Sequence, residues 1–332
     1  MRLPSPIHVA ASAVETIGVD LGGTKLAVGV CDRSAAILYR RTERSSGRSQ
    51  GELVELLLGS LAAAIRARPA VAAIGLGVPC TIDRGAGQII SAVNLDLADL
   101  SLRELVADRF GLAVSLDNDG NLAALAEHRV GAARGATDSV MLTIGTGIGG
   151  GLVLGGEVYR GASGAAAELG HMVIDLDGPP CQGHCQNNGC LEALASGTAI
   201  GQAGRLAAER DRESALGTAL AAGREIDGTV VSGCARAGDA AAIAVLAEIG
   251  RRLGAGLSGL VNIFEPNVIV IGGGAIAAGE LLLGPARAEM QRRALPPQNR
   301  TPVVAAALGP DAGMIGAAIA AADLFAASQA AH

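Results

Sequence analysis

The stretch Thr16-Ile-Gly-Val-Asp20-Leu-Gly-Gly-Thr-Lys25-Leu-Ala-Val-Gly-Val-Cys31 decides the reading of this chain. Its apolar ends read as two strands, and Leu21–Lys25 between them reads as a tight glycine turn. Gly22 and Gly23 carry no side chain, so backbone amides there can approach an anion. Thr24 adds a hydroxyl donor. Asp20, at the end of the first strand, is placed to hold a hard cation such as Mg²⁺ through its oxygens. Lys25 is a candidate phosphate contact. A plain hairpin explains the same residues, so the motif needs support from elsewhere.

That support comes from a second copy of the pattern. Ser139–Ile144 reads as a strand and is followed by Gly145-Thr-Gly-Ile-Gly-Gly-Gly151, again a Gly-Thr turn, about 120 residues further on. The second copy is not a Walker A loop, and it lacks the following helix and distal acid of a dinucleotide fingerprint. Two Gly-Thr turns make sense together if each grips a different phosphate of one nucleotide, with Gly145, Thr146 and Gly147 in the second. The repeat also predicts two similarly built halves of an α/β enzyme with a hinged cleft. Other expected elements are a helix over residues 51–67, a strand over Val71–Val78 and a helix over Leu102–Phe110. Further strands are expected at Ala113–Leu116, Val268–Ile271 and Val303–Ala307. Helices are expected over Asn121–Val130, through most of 192–257, and over Gly313–Ala327.

The length of 332 residues fits two domains, and a hydrophobic fraction of 50% can fill both cores. Aromatics are 2%, so the cores must be built from Ala, Val, Leu and Ile. A net charge of −6 without blocks of like charge argues against nucleic-acid or anionic-membrane partners. No apolar run reaches the roughly 20 residues of a membrane span. Residues 1–14, interrupted by Pro4, Pro6 and His8, read as a disordered leader, and the expected location is cytoplasmic.

Two further groupings carry chemistry. Asp117-Asn-Asp119 falls at a strand end before a helix, where α/β sheets place ligand groups. A carboxylate there can take a proton from an attacking hydroxyl, and Asn118 can both donate to and accept from neighbouring hydroxyls. Spacing alone favours a duller role, with Asp117 or Asp119 capping the helix. The second grouping is Cys181, Cys185 and Cys190, with His171 and His184 close by. Such a cluster in a chain of this length reads as a structural Zn²⁺ site. The fourth ligand is His171 or His184, and the site would tie down the loop carrying Glu168, His171 and Glu192.

With these residues in hand, the chain resembles the ROK family (repressors, open reading frames and sugar kinases), nearest its bacterial glucokinases. The resemblance runs from about Thr16 to Ala327. Asp20-Leu-Gly-Gly-Thr-Lys25 and Ile144-Gly-Thr-Gly-Ile-Gly-Gly150 match the two phosphate motifs. Asn118-Asp119, followed by Ala123-Ala-Leu-Ala-Glu127, matches the catalytic segment. Glu168-Leu-Gly-His171 and Cys185-x-x-x-Gly-Cys190-Leu-Glu192 match the sugar and zinc motifs. Asn262-x-x-x-Pro266 and Ile271-Gly-Gly-Gly274 match the segment beside the adenosine.

The resemblance implies a two-domain actin-like ATPase (ribonuclease H-like) fold with an interdomain cleft. Residues 15–118 plus 312–328 would form the small domain, and 119–311 the large one with the zinc loop. It implies ATP and Mg²⁺ on Asp20, Gly22, Gly23, Thr24, Lys25, Gly145, Thr146, Gly147, Gly273 and Gly274. Asp119 becomes the general base, overruling the capping role. Asn94, Asn118, Asp119, Glu168, His171 and Glu192 become the sugar contacts, and His171 is preferred over His184 as the zinc ligand. A homodimer or homotetramer acting on a small-molecule hexose, most simply glucose, is implied.

The chain departs from the family pattern in several places. It spaces its first two cysteines as Cys-x-x-x-Cys instead of Cys-x-Cys, and has Gln186 where Gly is usual. Ala167 stands where Gly is common before the Glu. Cys80-Thr81 replaces Gly-Pro after Gly77-Val-Pro79, and Val93-Asn-Leu-Asp-Leu97 lacks an aromatic neighbour. These differences make N-acetylmannosamine, N-acetylglucosamine, allose or fructose rival acceptors. A sugar-responsive regulator would need an N-terminal helix-turn-helix, for which Asp20 leaves no room. A polyphosphate donor would need an extended basic groove, and Arg40, Arg41, Arg44 and Arg48 form the one dense basic stretch.

Overall fold

The computed structural model describes residues 14–83, 86–92, 95–183 and 185–330. The leader expected over residues 1–14 lies almost wholly outside them, as do Asn94 and His184. Two compact units emerge. The first comprises the chain up to Ala126, Ala162–Ala165 and the chain from Asp311 onward. The second comprises Glu127–Gly161 and Ala166–Pro310.

The first unit is built on β1 (Glu15–Leu21), β2 (Lys25–Cys31), β3 (Ile37–Arg44), β4 (Val71–Val78) and β8 (Ala113–Asn118). A small antiparallel sheet of β5 (Cys80–Asp83), β6 (Gln88–Ala92) and β7 (Ala98–Leu100) intervenes in sequence. The main sheet runs β3-β2-β1-β4-β8, with antiparallel hairpins on one side and parallel pairs on the other. The buried strands are runs of Ile, Val and Leu, as a sheet covered on both faces requires. Helices α1 (Gln50–Ala67), α2 (Leu102–Phe110) and the first part of α3 (Asp119–Val130) accompany the strands. Helix α1 opens where the Ser49 N–H donates to Glu52 at 2.8 Å. It buries Leu53, Leu57, Leu61 and Ala64 on one face. Each such leucine contributes up to about 2–3 kcal/mol of transfer free energy.

The second unit repeats the plan. Its strands are β9 (Ser139–Ile144), β10 (Ile148–Leu154), β11 (Glu157–Val158), β12 (Val268–Gly272) and β13 (Val303–Ala305). Their order is β11-β10-β9-β12-β13, again two antiparallel pairs and two parallel ones. In each unit the first hairpin carries a Gly-Thr turn, so the sequence repeat is a repeat of topology. The helices here are α4 (Leu191–Ala195), α5 (Gly197–Arg210), α6 (Ala215–Ala221), α7 (Gly228–Arg236), α8 (Ala240–Phe264) and α9 (Glu280–Arg293). Asp239 starts α8 by accepting the Ala242 N–H at 2.8 Å.

The chain ends in α10 (Ala312–Ala330), which packs on β1, β4 and β8 of the first unit. With its leading turn it is long and apolar enough for a membrane span by composition. Here Met314, Ala317, Ala318 and Ala321 are core residues. The close approach depends on two glycines paired across β1 and β4, Gly18 and Gly75. A Cβ on Gly18 would lie 1.9 Å from Met314 O, and one on Gly75 would lie 1.9 Å from Ala317 O.

Candidate functional site

In the first unit, register brings the predicted groups to one end of the sheet. Asp20 pairs with Gly77, and Gly77 pairs with Asp117, so the three form one row across β1, β4 and β8. The two aspartates are two strand spacings apart, about 9–10 Å between backbones. All sit at the carboxyl ends of parallel strands, where open α/β sheets bind ligands.

The turn after Asp20 closes with the Gly22 N–H donating to Lys25 O at 2.9 Å. The Ser45 hydroxyl donates to Gly22 O at 2.5 Å, and the Ser45 N–H donates to Thr24 O at 3.2 Å. The carbonyls of the turn are thus held from behind, and Thr24 is exposed. Asp20 faces the start of α10, where a Cβ on Gly313 would come within 3.0 Å of its carboxyl carbon. Burial pushes the Asp20 carboxyl above its ordinary pKa. Lys25 draws it back down, and the neighbouring Asp311 carboxylate pushes it further up. Asp311 also pairs with Arg40 at 2.8 Å. The rest of the basic stretch is engaged locally: Arg41 with Glu43, Arg44 with Ser46, and Arg48 with Arg44 O.

At the end of β8 the structure distributes three roles. Asn118 is the residue that caps α3: its Oδ1 accepts the Gly120 N–H at 2.8 Å and the Asn121 N–H at 3.4 Å. Capping by Asp117 or Asp119, which spacing favoured, is therefore corrected. Asp117 is buried, and its Oδ1 accepts from the Asn118 N–H and from Asn121 Nδ2 at 2.9 and 3.0 Å. Asp119 begins the helix rather than preceding it. Cys80 is buried nearby. Burial first, then the Asp119 and Asp117 carboxylates, push its thiol up to about 12, so it stays protonated.

The second unit holds the other Gly-Thr turn, and it is shorter than expected. Only Gly145–Gly147 turn, while Gly149–Gly151 pair with β9 as strand. The Gly197 N–H donates to Gly145 O at 2.8 Å, and the Thr198 hydroxyl donates to Thr146 O at 2.8 Å. Gly273 has φ +84° and lies against Ile144, where a Cβ would meet backbone at 2.4 Å. A cavity of about 660 Å³ opens beside this turn. Its walls include Thr146, Thr198, Arg224, Asp227 and Gly274, over an apolar floor that includes Ile200 and Ile226.

The cysteine loop gathers as the sequence predicts. The ligand atoms of His171, Cys181, Cys185 and Cys190 all lie within 4.8 Å of one another. His171 Nδ1 is 3.5 Å from Cys181 Sγ, and the Cys185 and Cys190 sulfurs are 3.9 Å apart. A tetrahedral zinc, with bonds of about 2.3 Å to sulfur and 2.0 Å to nitrogen, would set these spacings near 3.5 and 3.8 Å. Burial pushes the Cys181 thiol up to about 12 and raises Cys190, whereas the Asn187 N–H lowers Cys185. A bound divalent cation would hold all three as thiolates. Glu192, at the start of α4, accepts the Ile148 N–H at 2.7 Å, and its other oxygen lies 3.9 Å from Cys181. Glu168 is exposed just before the turn Leu169–His171.

A model of the ROK family matches residues 16–323. The chain belongs to the ROK family. A glucokinase of Streptomyces coelicolor is 36% identical over 311 residues, covering 91% of this chain and 96% of that protein. The crystal structure of a ROK family glucokinase from Streptomyces griseus in complex with glucose and AMPPNP matches with a TM-score of 0.82 at 36% identity. It covers 93% of this chain and 99% of that one. A putative xylose repressor of Caldicellulosiruptor is 33% identical over 309 residues, 88% of this chain and 74% of the repressor. The fold is the actin-like ATPase fold of the ROK kinases, with one five-stranded sheet in each half.

Seen as a ROK protein, the chain's departures take definite form. The wider cysteine spacing still brings the three sulfurs to His171. Ala167 has φ +69°, the left-handed region that suits glycine. Sequence reasoning missed Asn121, whose spacing of four from Asp117 across a helix start could have revealed it. It also missed Ser196, Thr198, Arg224 and Asp311, for which spacing gave no signal.

Proposed function

We propose that this ROK protein is an ATP-dependent sugar kinase that converts glucose to glucose 6-phosphate. The observation that carries this reading is identity of 36% with glucokinases over nine-tenths of the chain, with every quoted motif intact apart from the departures above. Asp119 acts as the general base: it draws the proton from the attacking hydroxyl as that oxygen meets the γ-phosphorus. Nucleotide phosphates lie on the amides of Gly22–Thr24 and Gly145–Gly147, with Lys25, Gly273 and Gly274 beside them. The cavity of the second unit takes the adenosine.

The donor sets fit the implied ions. Burial disfavours the charge on Asp20, and Mg²⁺ beside it would restore that charge and draw electron density from the phosphates. Zinc on His171, Cys181, Cys185 and Cys190 is structural, since all four positions come from protein. With His171 Nδ1 turned to the sulfurs, its Nε2–H is left to donate to a sugar hydroxyl. Glu168, Asn118 and the second oxygen of Glu192 complete the sugar contacts, with Asn94 outside the described residues. A cytoplasmic glycolytic role and a homodimeric or homotetrameric state belong to the same reading.

The test is Asp119→Asn. Turnover of glucose should fall by about 10²–10⁴-fold, while glucose affinity by calorimetry stays within several-fold. Phosphorylation near the wild-type rate would remove Asp119 from the role. A second reading, a kinase for N-acetylmannosamine, N-acetylglucosamine, allose or fructose, is favoured by the changes at Cys80 and Ala167. ADP release measured across those sugars decides between the two.

A further inference from the structure

The cysteine loop does more than gather sulfurs. Its three-residue spacer carries Gln182, whose Nε2 donates to Ser196 Oγ at 2.9 Å. Ser196 is fully buried and is the N-cap of α5, its Oγ also accepting the Ala199 N–H at 3.2 Å. The next two residues, Gly197 and Thr198, make the bonds already described to Gly145 O and Thr146 O. A Cβ on Gly197 would stand 2.6 Å from Gly145 O, so the backbones touch. From the other side, Glu192, two residues after Cys190, holds the Ile148 N–H and fills the space a Cβ on Gly147 would need. The cysteine segment therefore grips both ends of the second Gly-Thr turn.

We propose that Gln182 is a positioning residue for the nucleotide: through Ser196 it fixes the start of α5 against Gly145–Thr146. Ser196 caps α5 without it, so the helix needs no help from Gln182. What Gln182 adds is a second restraint on the buried hydroxyl, from a loop whose three cysteines gather with His171. Two restraints hold the α5 start in place, and the backbone bonds pass that placement to the turn. The family's Cys-x-Cys pattern is widened here to Cys-x-x-x-Cys, and the wider spacer includes Gln182. The proposal rests on the reading that nucleotide phosphates lie on Gly145–Gly147.

The experiment is calorimetric titration of the full chain with AMPPNP and, separately, with glucose, for wild type, Gln182→Ala, Ser196→Ala and the double variant. Gln182→Ala should weaken AMPPNP about five-fold, the size of one net hydrogen bond. Glucose affinity should stay unchanged, and Tm should fall only by the few degrees that one net hydrogen bond accounts for. The double variant should bind AMPPNP no more weakly than Ser196→Ala alone. AMPPNP binding by Gln182→Ala at wild-type strength, equal weakening of glucose, or additive losses in the double variant would each overturn the proposal. Gly147→Val separates the two levels. If it keeps full AMPPNP affinity, the nucleotide reading of the turn falls. If it loses affinity while Gln182→Ala does not, only the role of Gln182 falls.

Discussion

Ala167 is held with φ +69° immediately before Glu168. For a residue with a Cβ this conformation costs about 1–2 kcal/mol. It persists because Leu169 N–H donates to Ala167 O at 2.7 Å and Gly150 packs under the same carbonyl. Replacing Ala167 with Gly relieves the strain, and the greater freedom of an unfolded glycine offsets part of the gain. Ala167→Gly is therefore expected to raise unfolding free energy by about 0.5–1 kcal/mol, read from urea unfolding midpoints at constant m. An unchanged or lower midpoint would count against strain at this position. Ala167 was visible in sequence as a departure from the family pattern, but the backbone angle that gives the departure meaning was not. The same holds at Asn118. Its place beside two aspartates was legible, yet which of the three would cap α3 depends on side-chain direction, and no spacing rule supplies that.

Among the elements, α10 shows how glycine decides packing. Gly75 faces the Ala317 carbonyl across the β4–α10 contact, so Gly75→Ala drives a methyl into backbone. We expect a loss of about 3 kcal/mol or more, since neither sheet nor helix can give way alone. Gly59, exposed in the middle of α1 with nothing near its absent Cβ, is the matched control. Gly59→Ala should stabilise by up to about 1 kcal/mol through helix propensity. Denaturant midpoints of the two variants should move in opposite directions, and a shared direction would refute this account of α10. Elements with a clear period were legible: α2 and β9 fall at the bounds the pattern predicts. The run Gly149–Gly151 was not. Read as turn, it is strand, because pairing with β9 outweighs glycine's weak strand preference. Gly150 is needed there because Ala167 O would lie 2.5 Å from a Cβ.

At the scale of the whole molecule, the two Gly-Thr turns foretold two similar halves, and each half has the same strand order and sense. What no local pattern encodes is the order in which five strands associate, since the central strands are buried on both faces and could pair with several others. The first unit is discontinuous: it takes its last helix from the far end of the chain. A chain stopped after Pro310 keeps every strand of the first sheet and loses the helix that covers Gly18 and Gly75. Limited proteolysis of such a truncation should cut within residues 15–118 while leaving fragments of 127–310 resistant. Equal resistance of both regions would show that α10 is dispensable.

The position of α10 also fixes an order of events during synthesis. The strands of the first sheet precede in the chain, by the whole of the second unit, the helix that packs on them, so their apolar face stays uncovered until α10 has been made. The second unit, continuous apart from a four-residue excursion, can close while that face is still waiting. The strands of the first sheet thus wait longer for their covering helix than any strand of the second unit waits for its own partners.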